Sequence, residues 1–366
     1  MKMGKYEQVY FPSAKEITAS FPVRALQVGV PDADNMDDFE RFIEEMLAPH
    51  GVNVLLLCLD YGFEFKTHPE IVDTPFTSHA VARRLAAVCA RNSMKVVPVI
   101  NVLAHQSSIY GGWTNKGMLR AYPDMEEVFE GELHSSKCLC SRHPRVRPIV
   151  DDMVAELMDA FETETVHGGF DEVWDIGKCP RCKGVQPYRL FAEYVNDVNA
   201  MVTKRGGTMW MWADQLVDGH LVPSQNAGYE TCLTGLHQAL PLLSRDIVMC
   251  DWHYYDEPLG HLAPSYWAMR DFRFIECAFN SLHGIDQLLA ATRVVRSPRT
   301  LGTMLTTWCR LPRFMQEVNA LYPQYLKDGL LVSDKSFEDS GIDNAHRFAR
   351  QAANSFLKMF VGHEDD

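Results

Sequence analysis

The chain is most informative at first for what it lacks. Nowhere in its 366 residues does an uninterrupted apolar run reach the roughly 20 residues that a membrane-spanning helix needs. The opening Met1-Lys2-Met3-Gly4-Lys5-Tyr6-Glu7 has no apolar core of the secretory-leader kind. Basic residues are not in excess. Lys and Arg number 35 against 48 Asp and Glu, a net charge of −13, and no basic block breaks that balance. Such a chain is a poor partner for nucleic acid or an anionic membrane. Ten cysteines are spread over the whole length, too thinly for a small disulfide-stapled scaffold. The expectation is a cytoplasmic protein with free or metal-bound thiols. Low-complexity segments, long linkers and repeats of 20–50 residues are also missing. With 46% hydrophobic and 23% charged residues, the composition is that of an ordinary globular protein.

What is present is alternation. Strand candidates, most of them short apolar runs, fall at 24–30, 52–59, 96–100, 169–176, 208–212, 247–254, 272–279 and 301–308. The run 52–59 is continuous, as in a strand buried on both faces. Pro98 removes one ladder donor from the third strand. Helical spacing separates most of the runs. Examples are Phe39, Phe42, Ile43 and Met46, a helix opened by Ser78, and the stripe from Ile149 to Phe161. Interleaved strands and helices imply parallel βαβ units, and eight of them suggest a single (β/α)8 TIM barrel with an elaborated loop after strand 3, about 104–144. An open doubly wound sheet is the alternative, but no Gly-x-Gly-x-x-Gly turn follows the first strand. Residues 1–20 are expected to be an N-terminal extension packing on the barrel, 21–330 the barrel, and 331–366 a C-terminal helical segment of the same domain.

In such a barrel chemistry sits where strands end. The fourth exit, His167-Gly168-Gly169-Phe170-Asp171-Glu172-Val173-Trp174-Asp175, holds three carboxylates and a histidine. In a regular strand Asp171 and Glu172 would face opposite ways, so they can share a site only if the backbone turns there. The competing reading makes them a solvated loop carboxylate and a turn cap. Four of the seven tryptophans, Trp174, Trp212, Trp252 and Trp308, fall at or near strand ends. Flat aromatic faces suit sugar rings, although strand tryptophans more often fill a core. Asp60 ends the second strand, His105 follows the third, and Arg24 opens the first. A structural Asp60–Arg24 ion pair would serve equally well.

The run from His167 to Glu172 resembles the His-x-Gly-x-Asp-Glu signature of family 20 glycoside hydrolases, the β-N-acetylhexosaminidases. Other segments are similar in the same order, over about 22–312. Arg24 matches the family's first-strand sugar-binding arginine, and Asp60 a second-strand aspartate. Val97 to His105 resembles the Ile-Pro-Glu-Ile-Asp…Pro-Gly-His segment, and Cys140-Ser141-Arg142-His143-Pro144 the lead into the third helix. Trp212, Trp252 and Trp308 match tryptophans that wall the sugar pocket. The resemblance implies a barrel without the extra N-terminal domain of many relatives and an exo-acting, retaining glycosidase. In this family the substrate's acetamido oxygen is the nucleophile. Glu172 would be general acid and base, Asp171 would hold the acetamido group, and His105 would support the pair. Two close carboxylates also raise the proton affinity of one of them. No cofactor would be required for catalysis. The implied partner is an N-acetylhexosamine-containing glycan or glycoside.

Three positions depart from the family pattern. Trp308-Cys309-Arg310 replaces Trp-x-Glu, and a guanidinium favours an acidic substituent on the sugar. Phe279 stands where a tyrosine grips the acetamido oxygen, leaving Tyr254 or Tyr255 to substitute, and Asn101 replaces an aspartate. A non-catalytic or differently specific carbohydrate-binding barrel, for acidic sugars, is therefore the alternative. A metal-dependent hydrolase is a third reading, served by His105, His167 and His253 but lacking a first-strand His-x-His. Separately, Cys179-Pro180-Arg181-Cys182-Lys183-Gly184 is a compact knuckle, and Cys138-Leu139-Cys140 precedes it. These four thiols could meet around a structural zinc, against the plainer reading of unmetallated thiols or a redox pair. Phe314, Tyr322 and Tyr325 are candidates for a homodimer contact.

Overall fold

The computed structural model describes residues 12–31, 33–108, 114–128, 137–329, 331 and 344–363. Eight parallel strands close into a barrel: β1 (Val23–Gly29), β2 (Val54–Cys58), β3 (Lys95–Val99), β6 (Thr165–His167), β7 (Thr208–Trp212), β8 (Val248–Trp252), β9 (Arg273–Ala278) and β10 (Thr300–Leu305). The two-residue strands β4 (Ser107–Ser108) and β5 (Thr114–Asn115) form a hairpin in the loop after β3. Alternation along the barrel strands builds two cores. Val54 and Leu56 of β2 face the barrel interior with Val97, Trp210, Val248 and Ile275, whereas Leu55 and Leu57 join the layer between sheet and helices. Burial on both faces is what makes 54–59 unbroken in apolar residues, with Asn53 standing just before the strand.

The helices are α1 (Ala14–Ala19), α2 (Met36–Phe42), α3 (His79–Arg91), α4 (Gly117–Ala121), α5 (Val146–Ala160), α6 (Pro187–Thr203), α7 (Ala263–Ala268), α8 (Leu282–Val295), α9 (Leu311–Asp328) and α10 (Asn344–Phe356). Ser78 caps α3, its hydroxyl accepting from the Val81 N–H at 3.2 Å. None is long and apolar enough to cross a membrane. The fold is a single (β/α)8 barrel, with α1 packed on α8 and on the 357–361 turn that ends the C-terminal segment. Residues 1–11, 332–343 and 364–366 of the expected terminal segments lie outside the described residues.

Two expectations need correction. The fourth barrel strand is β6, upstream of 169–176. The chain leaves the sheet at Gly168, and Gly169, Phe170 and Glu172 take φ values of +75°, +77° and +52°, which no strand accommodates. The aromatic residues 314–325 are not a free surface. They lie on α9, where Phe314 and Tyr325 are buried and Tyr322 packs edge-on against His50. Phe314, Val318, Leu321 and Tyr325 recur at helical spacing, and the helix runs on through the internal Pro323 to Asp328.

Candidate active site

The exit of β6 is where local sequence becomes chemistry. Gly169 has no alternative: a Cβ there would lie 2.7 Å from the Asn101 side chain, in a backbone conformation that L residues avoid. Phe170 then turns into the core, its ring 6.0 Å from Phe191. The Glu172 N–H donates to Asp214 Oδ2 at 2.9 Å, which fixes the next turn. Because of these turns, Asp171 and Glu172 line one cavity of about 550 Å³ rather than opposite faces of a strand. His105 after β3, Tyr254 after β8 and Trp308 after β10 line it too, so the cavity opens at the C-terminal mouth of the barrel.

His105 bridges the acidic pair. Its Nε2 lies 3.1 Å from Asp171 and 3.4 Å from Glu172. Asn101 donates its amide to Asp171 Oδ1 at 2.7 Å. Burial pushes the Asp171 proton affinity up, but the His105 cation, its hydrogen bond and the Asn101 amide outweigh burial and hold the carboxyl below its ordinary value. For Glu172 burial wins. Its pKa rises to about 7, pulled down by His105 and pushed up by Asp171. Burial also disfavours a charge on His105, yet Asp171, then Glu172 and Asp60, hold its pKa at about 9. Two adjacent carboxyls thus have opposite tendencies: at neutral pH one is an anion and the other keeps much of its proton.

Asp214 was not among the sequence candidates. It is fully buried, and burial followed by the Asp171 charge raises its proton affinity far above that of an ordinary aspartate. It accepts from the Glu172 backbone, from Gln215 Nε2 at 2.8 Å and from the Trp252 indole at 3.3 Å. Its place two residues past β7 was the available signal.

The aromatic wall is only partly the expected one. Trp252 and Trp308 line the cavity, and the Trp308 indole donates to the Tyr254 hydroxyl at 2.8 Å. Trp212 is buried beneath them, 4.4 Å from the His167 ring and 5.7 Å from Trp308 between centroids. Trp174 donates to the Gly228 carbonyl instead. Phe279 stands behind Tyr254, ring centroids 5.3 Å apart, so Tyr254 and Tyr255 occupy the cavity surface on that side. Asn226 and Tyr229 also line it, from a loop whose sequence carries no strand-end signal.

Four expected site residues lie elsewhere. Arg24 is near the start of β1, at the opposite mouth, where its Nε donates to the Gly51 carbonyl at 2.6 Å and its guanidinium also reaches Phe21. Asp60 is not in the cavity wall and pairs with Lys116 at 3.1 Å, not with Arg24. Arg310 is exposed at the start of α9, two residues past Trp308, and does not line the cavity. Cys138 lies outside the thiol cluster, where Glu127 takes its place beside Cys140, Cys179 and Cys182. None of those four residues lines the cavity, and they are the one metal-competent group among the described residues.

Fold and site together define the class: a (β/α)8 barrel built around an acidic, aromatic-walled cavity of sugar size. The chain belongs to glycosyl hydrolase family 20, whose catalytic domain matches residues 61–279, more than half of its length. Among solved structures, the chain is similar to Flavobacterium johnsoniae chitobiase at 19% identity and a TM-score of 0.56, over 91% of this chain and 48% of that one. A β-N-acetylhexosaminidase matches at 16% identity and a TM-score of 0.58, over 91% and 72% of the two chains. An exo β-N-acetylglucosaminidase from Vibrio harveyi, in complex with N-acetylglucosamine, matches at 15% and 0.56, over 93% and 57%. At these identities the likeness is one of fold, and the chain spans about half the length of the first and third. No curated protein matches the sequence.

Proposed function

We propose that the protein is an exo-acting β-N-acetylhexosaminidase that works by substrate assistance with retention of configuration. The observation that carries this reading is that Asp171 and Glu172 line one cavity with His105 Nε2 between them, 3.1 Å and 3.4 Å away, an arrangement that drives their proton affinities apart. The acetamido oxygen of the sugar attacks the anomeric carbon as the glycosidic C–O bond breaks. Glu172 gives its proton to the departing oxygen and then takes one from the water that reopens the ring. Asp171 accepts the acetamido N–H and stabilises the positive charge that develops on the oxazolinium-like intermediate. His105 and Asn101 are positioning residues that keep Asp171 anionic. Trp252 and Trp308 offer faces for the apolar side of the ring, and Tyr254 with Tyr255 replaces the family's tyrosine clamp. The substrate class is a terminal N-acetylhexosamine glycoside.

The test is turnover of a nitrophenyl N-acetyl-β-glucosaminide and of an N-acetylglucosamine disaccharide by wild type and Glu172→Gln. The variant should lose about 10²–10⁴-fold in kcat/KM on the disaccharide. The nitrophenyl glycoside, whose leaving group needs less protonation, should lose less. Equal losses on both, or an unimpaired variant, would overturn the assignment of Glu172.

A further inference from the structure

We infer that Cys140, Cys179, Cys182 and Glu127 form a binding site for a borderline-soft divalent cation of the zinc class. The site is separate from the cavity and does not depend on the proposed activity. One oxygen and three sulfurs lie within 4.8 Å of one another, and all four residues are buried. Cys140 Sγ is 3.4 Å from Cys179 Sγ and 3.7 Å from Cys182 Sγ. A disulfide requires about 2.05 Å. A tetrahedral zinc with bonds of about 2.3 Å separates its sulfurs by about 3.8 Å. The thiols are therefore spaced for a shared ion rather than for a covalent bond. The Cys179–Cys182 turn supports this: the N–H groups of Cys182 and Lys183 both donate to the Cys179 carbonyl at 3.0 Å, which folds the two sulfurs to one side.

Glu127 supplies an independent observation. Its carboxylate is 1% exposed and has no ion-pair partner among the described residues. A buried charge calls for a compensating one. Oε1 accepts from the N–H groups of Val128 and Cys179, and Oε2 accepts from Gly177 at 3.2 Å. A carboxylate offers about four acceptor positions, so Oε2 keeps one lone pair for a cation. Three thiolates and one carboxylate complete a tetrahedral set of the closed, structural type.

The site would clamp two neighbouring loops. Glu127 and Cys140 belong to the long connection after β3, which carries His105; Cys179 and Cys182 belong to the connection after β6, which carries Asp171 and Glu172. The ion would have a positioning role, with no contact to substrate.

Two measurements test the inference. Reduced, full-length wild type equilibrated with zinc and desalted should hold one equivalent by elemental analysis. Cys182→Ser should lose that equivalent, and Cys138→Ser should keep it. In wild type, bound zinc should protect Cys140, Cys179 and Cys182 from alkylation, mapped by mass spectrometry, with protection lost on chelation. Cobalt(II) in place of zinc should give tetrahedral ligand-field bands and thiolate charge transfer that weaken in Glu127→Gln. No bound metal in the reduced wild type would overturn the inference, as would identical alkylation of the three thiols with and without zinc. Metal loss in Cys138→Ser equal to that in Cys182→Ser would overturn the ligand set.

Discussion

Burial and a single histidine pull in opposite directions on the two carboxyls of the site. The His105 cation lowers the proton affinity of both Asp171 and Glu172. In wild type, activity should fall on the alkaline side as Glu172 loses its proton near pH 7, and on the acid side as Asp171 gains one below the ordinary aspartate range. His105→Gln removes the cation, so both affinities rise. Both limbs of the kcat/KM profile should then move to higher pH by about one unit, with a lower maximum. A merely structural role would lower the maximum and leave the limbs in place. Asn101 acts in the same direction, because its amide can donate to Asp171 where an aspartate would repel it. The acidic pair was legible as a run of residues, since two carboxylates at a strand exit carry a chemical signature of their own. Asp214 was not, because its importance comes from the Glu172 amide, which lies 42 positions away in sequence. Arg24 misled for the opposite reason: a residue that begins a strand sits at the far mouth, whatever its chemistry.

At the scale of elements, the turn after β6 is where periodicity stopped being informative. Seven barrel strands fall on their apolar runs. The fourth does not, because three left-handed residues carry 169–172 out of the sheet. Gly169→Ala should cost roughly 3 kcal/mol or more, since it combines left-handed strain with a collision against Asn101. Gly206→Ala makes the control. Its φ of +80° is close to the +75° of Gly169, but it has open space around it, so its cost should be about 1 kcal/mol. Urea unfolding of the two variants measures the difference, and equal losses would show that Gly169 is not pinned by Asn101. The aromatic wall is a second element-level device. Removing the Trp308 ring in Trp308→Ala should cost about 1 kcal/mol of transition-state binding, roughly five-fold in kcat/KM, while leaving both pH limbs unmoved.

For the whole molecule, the C-terminal segment is part of one core. Phe356 of α10 is fully buried, with its ring 6.5 Å from Phe42 of α2, 6.0 Å from Phe314 of α9 and 5.4 Å from Phe360. Phe356→Ala should cost about 3–5 kcal/mol in a single unfolding transition, and a separate early transition would show the segment to be an independent appendage. The barrel, its two cores and this helical cover hold a few side chains at one mouth, and in the proposed mechanism those side chains act on the substrate's own amide. The most direct measurement is kcat/KM for nitrophenyl β-glycosides whose N-acetyl methyl carries zero, one, two or three fluorines. Each fluorine weakens the carbonyl oxygen as a nucleophile and leaves the glycosidic bond unchanged. Substrate assistance predicts a steep fall with every fluorine added, whereas a rate indifferent to fluorination would mean that the sugar's amide takes no part in the bond-breaking step.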